Sequence, residues 1–449
     1  MACCDIGVLN NVKDGKRGNG VDCEVNRESS NYKWFVLGIL TLVYTFNFID
    51  RQILVILQEP IKADLGLSDT QLGLLTGFSF AVVYVTAGIP IAWLADRSNR
   101  RNIVAASLGI FSVMTALSGL VQNYTQLLLA RLGVGLGEAG GSPPSHSMLS
   151  DYFPEEKRGT ALSIYTTGIY FGIFFGYFAG GWIAESFGWR KAFFIVGIPG
   201  IALALLLLLL VREPPRTQPI ASTVSSKPRF KETISVLLRR PAFWWIALGC
   251  STASFVGYGN GNFFPSLLIR NYGLSVTEAG VVLGVIGGTT GMLGTFFGGY
   301  LADRWGKHDK RWYVRIPLYG LALSFPLSYL TLLGSEPLYV IMAYAPGHIL
   351  NTLYLGPCIA ICHTLVSPAM RASASAVLLF VINMIGLGLG PLFVGALSDA
   401  YSAHFGDENL RYAMITSLTL GTSGLFFFWK AQKALLGDIE KAKSLSQDG

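Results

Sequence analysis

Four charged residues interrupt stretches of the 449-residue chain that are otherwise apolar: Asp50, Arg51, Arg131 and Glu138. Two carboxylates and two guanidinium groups sum to zero, so they can pair in a cavity without leaving a net buried charge. A carboxylate beside a guanidinium group is held ionised, and takes a proton more readily once the guanidinium swings away or the site closes to water. The set suits a proton-exchange site at Asp50 and Glu138 with Arg51 and Arg131 as movable partners. Arg51 can alternatively hold an anionic group through two parallel hydrogen bonds. A third reading is a static ion-pair network that fixes one helix against another. Arg131 and Glu138 are seven residues apart, which on a helix puts them on one face about 10 Å apart along the axis.

These residues must be positioned by membrane-spanning helices. Twelve mostly uncharged windows of roughly 18–28 residues can each cross a bilayer. They are Trp34–Leu57, Leu72–Leu94, Ile103–Val121, Leu127–Leu149, Gly159–Ile183, Ala192–Val211, Phe243–Leu268, Ala279–Leu301, Val314–Leu333, Leu338–Leu365, Ala372–Leu397 and Tyr412–Trp429. No alternating barrel pattern is present, and runs such as Leu203–Leu210 fit only helix. An ionised group at the bilayer centre costs on the order of 2.5–3.5 kcal/mol on insertion scales, so four of them call for a functional account.

Composition agrees. Apolar residues make up 51% of the chain and charged residues 14%, with a mean hydropathy of +0.48; a soluble protein carries about 25% charged residues. The 52 glycines and 28 phenylalanines suit helices packed tightly in lipid. Of the 34 Lys and Arg, 27 lie on the side of the chain termini, 5 on the opposite side, and Arg51 and Arg131 within spans. The imbalance predicts that both termini are cytoplasmic, and it accounts for the net charge of +7 without a nucleic-acid partner.

Residues 1–33 are polar and lack the apolar core of a signal peptide, and are expected to form a disordered cytoplasmic tail. Cys3 and Cys4 there could carry a lipid. The remaining cysteines, Cys23, Cys250, Cys358 and Cys362, make no metal or disulfide framework. No His cluster, Ser-His-Asp set or pair of metal-binding carboxylates is found, so no metal, cofactor or enzymatic activity is expected.

The chain reads as a duplication. The segment 212–240, with Pro214, Pro215, Pro219 and Pro228, is a linker between a bundle at 34–211 and a bundle at 241–432, ahead of a tail at 433–449; within it Phe230–Arg240 could form an interfacial helix. Gly66-Leu67-Ser68 with Thr70 and Gly73 recurs 207 residues later as Gly273-Leu274-Ser275 with Thr277 and Gly280. Leu94-Ala95-Asp96-Arg97 recurs at the same offset as Leu301-Ala302-Asp303-Arg304. Parallel six-helix repeats of this kind build one large class of transporters. Asp50 and Arg51 fall opposite Gly257 and Tyr258 at that offset, so the fold is duplicated and the charge is not.

The Asp-Arg turns, with Gly299 and Gly306 around the second copy, resemble the major facilitator signature; the first copy departs from it at Ala92 and Asn99. Gly386-x-Gly388-x-Gly390-Pro391 in span 11 and Gly168, Gly172, Gly176 and Gly180 in span 5 strengthen the likeness. Phe48-Ile49-Asp50-Arg51, together with the run from Arg131 through Gly133, Gly135 and Gly137 to Glu138, is similar to the spinster-like branch, most of all to its bacterial members. The resemblance implies an all-α fold of twelve transmembrane helices in two bundles. It further implies a secondary transporter for amphipathic lipids of the lysophospholipid or sphingosine-phosphate type, coupled to protons and working by alternating access. A bacterial inner-membrane monomer is expected. Soluble organic anions are the alternative substrates, since Arg51 and Arg131 would bind a carboxylate equally well; a non-transporting sensor or a scramblase is a further one.

Asp96, Arg97, Arg101, Arg158, Asp303 and Arg304 are expected to act as a gate at helix ends, with Arg371 as a further partner or a plain topological anchor. Phe46, Asn47, Tyr165, Tyr170, Tyr258, Asn260, Asn262, His348, Asn351, Tyr354 and Asn383 are the expected lining of a substrate cavity, because asparagine in lipid needs a partner. The glycines around Glu138, with Gly140, Gly141, Pro143 and Pro144, allow either close packing or a bend in span 4.

Overall fold

The computed structural model describes residues 21–215, 230–367 and 370–445. Twelve helical passes run through it: α1 Val21–Ile56, α2 Asp69–Arg97, α3 Arg100–Ser118, α4 (Tyr124–Glu138 and Ser142–Tyr152), α5 Glu155–Phe187, α6 Trp189–Leu210, α7 Pro241–Tyr272, α8 Val276–Gly306, α9 Trp312–Leu333, α10 (Pro337–Asn351, then Leu355–Cys362), α11 (Arg371–Ile382 to Gly390–Phe405) and α12 (Asn409–Gly421 and Ser423–Leu445). Among the described residues, eight stretches are long and apolar enough to cross a membrane by length and composition alone; one of them, Arg371–Ala442, holds two passes. The remaining passes, α4, α7 and α10, carry the breaks and polar residues expected where helices line a pathway.

Two boundaries differ from the sequence reading. Residues 21–33, expected in a disordered tail, are helical and continuous with the first pass, and α12 continues to Leu445, well past Trp429. Hydropathy windows measure the apolar length, not the polar turns by which a helix extends beyond lipid. Cys3 and Cys4 lie outside the described residues. A linker helix spans Phe230–Leu238. Its Thr233 and Leu237 are buried, and Leu237 O accepts from Trp244 Nε1 at 3.1 Å, so the helix docks on the C-terminal bundle rather than lying free at the interface.

The four-residue glycine stripe of α5 packs on α1. A Cβ at Gly168 would stand 2.8 Å from Thr41 O, at Gly176 2.7 Å from the Gln52 side chain, and at Gly180 3.0 Å from Ile56. Small residues at this spacing let two helix backbones approach closely where lipid supplies no hydrophobic drive. The sequence repeat also has a structural meaning. Ser68 and Ser275 are N-caps with complete capping boxes to Gln71 and Glu278, each preceded by a left-handed glycine, Gly66 and Gly273.

Buried apolar side chains form two main clusters. One joins the C-terminal half to the end of the N-terminal half around Ile53–Leu57, Leu72, Ile183 and Phe193. The other holds the opposite end of the N-terminal half, around Val36, Leu40, Phe153 and Tyr165. The two halves are thus joined at one end, here called the sealed end; the opposite end, which carries Asp96, is here called the basic end.

Replacing Gly176 by leucine should overpack the α1–α5 contact and cost about 1–3 kcal/mol of stability. Gly38→Ala, whose Cβ meets nothing within 4 Å, should be near neutral. Thermal unfolding in detergent checks both; equal midpoints would show that the stripe does not carry the packing.

Candidate functional site: a charged cluster and two ends

The structure brings the four intramembrane charges together as two crossed pairs. Arg51 of α1 donates from Nε to Glu138 Oε2 of α4 at 2.7 Å, with Nη2 also at 2.7 Å. Arg131 of α4 donates from Nη1 to Asp50 Oδ2 at 2.9 Å. The pairing runs between helices, so the seven-residue spacing along α4 serves two partners rather than one. The helix break that the glycines permit falls between Glu138 and Ser142, directly beside the carboxylate.

The cluster is buried but not fully hydrogen-bonded. Asp50, Arg131 and Glu138 are each 1–2% exposed, whereas the Arg51 side chain keeps 18% exposure. Among the described residues, Glu138 Oε1 and Arg131 Nε have no partner. Phe48, Phe80 and Tyr84 ring the Arg51 guanidinium at 5.0, 4.7 and 5.0 Å, and Phe80 also faces Arg131 at 6.0 Å.

Thr115 of α3 completes the site. Its hydroxyl lies in reach of both Asp50 Oδ1 and Phe111 O, the latter at 2.8 Å. A threonine hydroxyl has one proton to give. With Asp50 ionised the proton goes to the carboxylate; with Asp50 protonated the carboxyl donates to Thr115, which turns to Phe111 O. Neither Thr115 nor Phe80 is conspicuous in the sequence, because a hydroxyl or a ring in an apolar helix carries no signal of its own.

The sealed end holds a network that the sequence reading missed. Asp69, fully buried, accepts from Arg270 at 2.7 and 2.8 Å, from Lys62 at 2.6 Å and from Ser398 at 2.6 Å. Arg270 also holds Glu59 through Nε and Nη2 at 2.9 and 2.7 Å. Two carboxylates then cap helices of the other half. Asp399 of α11 accepts from the Asp69 and Thr70 amides at 3.0 and 2.8 Å, and Glu185 of α5 accepts from the Thr277 amide at 3.1 Å. Gly73 and Gly280, three residues farther on, admit the backbone of Pro391 and of Tyr177. The recurring Gly-Leu-Ser-x-Thr is therefore an N-cap whose next free amides bind a carboxylate from the opposite half. Only the first copy adds an acid; Val276 stands where Asp69 does.

At the basic end Arg97, Arg101, Arg158, Asp303 and Arg304 make contacts within their own halves. Arg158 donates to Ser150 O and Phe153 O at 2.8 and 3.2 Å rather than reaching across. Arg101 bonds Asn102 and Val211 O, and Arg97 lies 3.8 Å from the Trp93 ring. Asp303 accepts from Tyr313, and Arg304 donates to Tyr300. Asp96 and Arg371 are exposed. Arg100, overlooked between two expected gate residues, is the buried one: it binds Glu213, Asp151 and Ser147 at 2.7, 2.5 and 2.9 Å and ties the start of the linker to the N-terminal half.

The expected cavity residues divide. Asn260, His348 and Asn351 line one cavity of about 60 Å³ in the C-terminal half, and Tyr258 is 36% exposed. The others are corrected by the packing. Tyr165 is core, stacked on Tyr44 at 4.5 Å, and Phe46 packs toward Gly200 of α6. Tyr170 bonds Thr295 at 2.8 Å across the α5–α8 seam. Asn262 is buried in the bundle, Asn47 lies against Gly141 at the α4 break, and Tyr354 packs on the larger apolar cluster. Asn383 opens a π-helical turn, Asn383–Leu389, where α11 meets Gly77 of α2.

The Major Facilitator Superfamily model matches residues 40–391. The chain belongs to that superfamily. It is similar to the crystal structure of a bacterial homologue of the human lysosomal transporter spinster, in an inward-facing and unoccupied conformation: 32% identity, TM-score 0.83, covering 91% of this chain and 98% of that one. This places it in the spinster-like branch as a multi-pass membrane transporter and not an enzyme. It is also 36% identical over 415 residues to an MFS-type efflux pump of Mycolicibacterium smegmatis, covering 92% of this chain and 96% of the pump. A probable galactarate/D-glucarate transporter of Bacillus subtilis is 28% identical over 305 residues, 62% of this chain and 66% of that protein.

Removing one partner of a buried ion pair costs about 3–5 kcal/mol, so Arg270→Ala should favour the state open at the sealed end. In this transporter a cysteine placed at Ser266, which is fully buried, should then react about tenfold or more faster with a membrane-impermeant thiol reagent. Unchanged labelling would show that the network does not hold the seal.

Proposed function

We propose that this spinster-like transporter moves an amphipathic, anionic lipid-like substrate of the lysophospholipid or sphingosine-phosphate type by proton-coupled alternating access. The observation that carries the reading is the Asp50–Arg131 and Arg51–Glu138 cluster: formally neutral, confined to the N-terminal half, and left with one unpartnered atom of each sign. A static clamp between α1 and α4 would be made at lower cost by apolar packing. An incompletely bonded pair has instead a second arrangement within reach, and coupling requires only that the pairing differ between the two access states. The aromatic surround of a partly exposed Arg51 suits a substrate with an anionic head and an apolar body.

Alternating access also needs two gates. The sealed end supplies one in its closed form; opening at the basic end then gives the inward-facing state, with both termini cytoplasmic in a bacterial inner membrane. The transporter acts as a monomer, since the pathway lies between its own halves. A second reading, transport of a soluble organic anion, is favoured by the likeness to the galactarate/D-glucarate transporter, because a guanidinium binds carboxylate and phosphate alike.

Proteoliposome transport of a lysophospholipid and of a sugar diacid, with and without an imposed pH gradient, tests both readings. Glu138→Gln and Asp50→Asn should abolish the pH-driven component while the protein remains folded. Unchanged pH-driven transport in both variants would overturn proton coupling at this site. Thr115→Val removes the hydroxyl that follows the Asp50 proton and should displace the pH profile without abolishing transport; an unmoved profile would show that Thr115 only packs.

A further inference from the structure

The cavity in the C-terminal half has a counterpart in the N-terminal half, and that counterpart is the charged cluster. The 207-residue offset carries Asp50 and Arg51 onto Gly257 and Tyr258. The first segments of α4 and α10, Tyr124–Glu138 and Pro337–Asn351, are both 15 residues long and break at the same register. Their offset of 213, which also relates Arg158 to Arg371, carries Arg131 onto Tyr344 and Glu138 onto Asn351. Gly257, Tyr344 and Asn351 all line the cavity. The place that charges fill in one half is open and uncharged in the other, with polar side chains set in a mainly apolar lining.

Its polar lining is uncharged and includes an unpartnered acceptor. Asn260 spends Nδ2 on Met414 O at 3.2 Å, and its Oδ1 is buried without a partner among the described residues. Thr290 Oγ1 lies 2.6 Å from Ile286 O and 2.7 Å from His348 Nδ1, so its one proton serves only one of them. The neutral imidazole keeps one donor and one acceptor nitrogen, both able to pair with a hydroxyl. Tyr344, stacked on Phe264 at 4.3 Å and on His348 at 5.4 Å, walls the site with ring faces. The volume of about 60 Å³ has room for roughly four water molecules or a hydroxylated group of that size. A cavity with no charged lining residue disfavours a phosphate or carboxylate, and its unpartnered Asn260 Oδ1 favours a hydroxyl, which can donate.

We propose that this cavity binds a hydroxyl-bearing part of the transported anion while the anionic group lies on Arg51. The proposal rests on the transport reading above and names a chemistry shared by the glycerol of a lysophospholipid and by a sugar diacid. Two probe pairs separate these sources: 1-acyl-lysophosphatidic acid against its 2-deoxy analogue, and galactarate against adipate, each followed in proteoliposomes. The wild-type protein should carry the hydroxylated member of one pair about tenfold faster than its deoxy partner, the worth of roughly one neutral hydrogen bond. Gly261→Val projects into the cavity, and its Cβ meets nothing within 4 Å; it should bring that ratio close to one. Asn260→Ala, which removes the acceptor without filling the space, should lower the ratio in the same direction. No preference in either pair, or equal losses for both members in the variants, overturns the proposal. The proton-site reading fails on a different result, pH-driven transport unchanged in both Glu138→Gln and Asp50→Asn, so the two failures are distinguishable.

Discussion

Everything in this molecule is arranged around the cost of holding ionised groups in hydrocarbon. Asp50, Arg51, Arg131 and Glu138 are tolerable there only because they neutralise one another across two helices. That requirement fixes how α1 and α4 face each other, and α5 must then lie close behind α1, which its glycine stripe allows. The helix break at Glu138 and the aromatic rings around Arg51 lie directly against this cluster.

The two ends obey a related rule. At the sealed end, carboxylates from one half satisfy the free amides at helix starts of the other, and Asp69 and Arg270 add a doubly bonded ion pair to one of these contacts. These links cross between halves, so any separation of the halves at this end must break them. At the basic end Arg100, Arg101 and Arg158 are engaged within the N-terminal half. Of the Asp-Arg turns, Arg97, Asp303 and Arg304 likewise contact their own halves. The asymmetry between the halves is chemical as well: a charged cluster on one side and, at the corresponding positions, an uncharged cavity on the other.

Much of this was legible in the sequence, for identifiable reasons. Apolar length revealed twelve passes, the 207-residue repeat revealed the duplication, and charges with no topological purpose marked the cluster. Pairing was not legible, because Arg51 meets Glu138 only through the crossing of two helices. The Asp69–Arg270 network was hidden because its members lie 201 residues apart at helix ends where charge is ordinary. Tyr165 and Phe46 were misplaced because an aromatic ring reads the same whether it lines a cavity or fills a core. Helix ends at Val21 and Leu445 escaped because hydropathy is silent once a helix leaves lipid.

The central claim is that protonation at the charged cluster sets which end of the molecule is open. Its most direct test is the distance between spin labels at Thr125 and Ser335, exposed positions on the two halves at the sealed end, followed by electron–electron resonance across pH in lipid nanodiscs. The account predicts a distribution that shifts with pH in the otherwise wild-type protein and that Glu138→Gln freezes in its low-pH form at every pH. A Glu138→Gln protein whose distances still follow pH as the parent's do would contradict it.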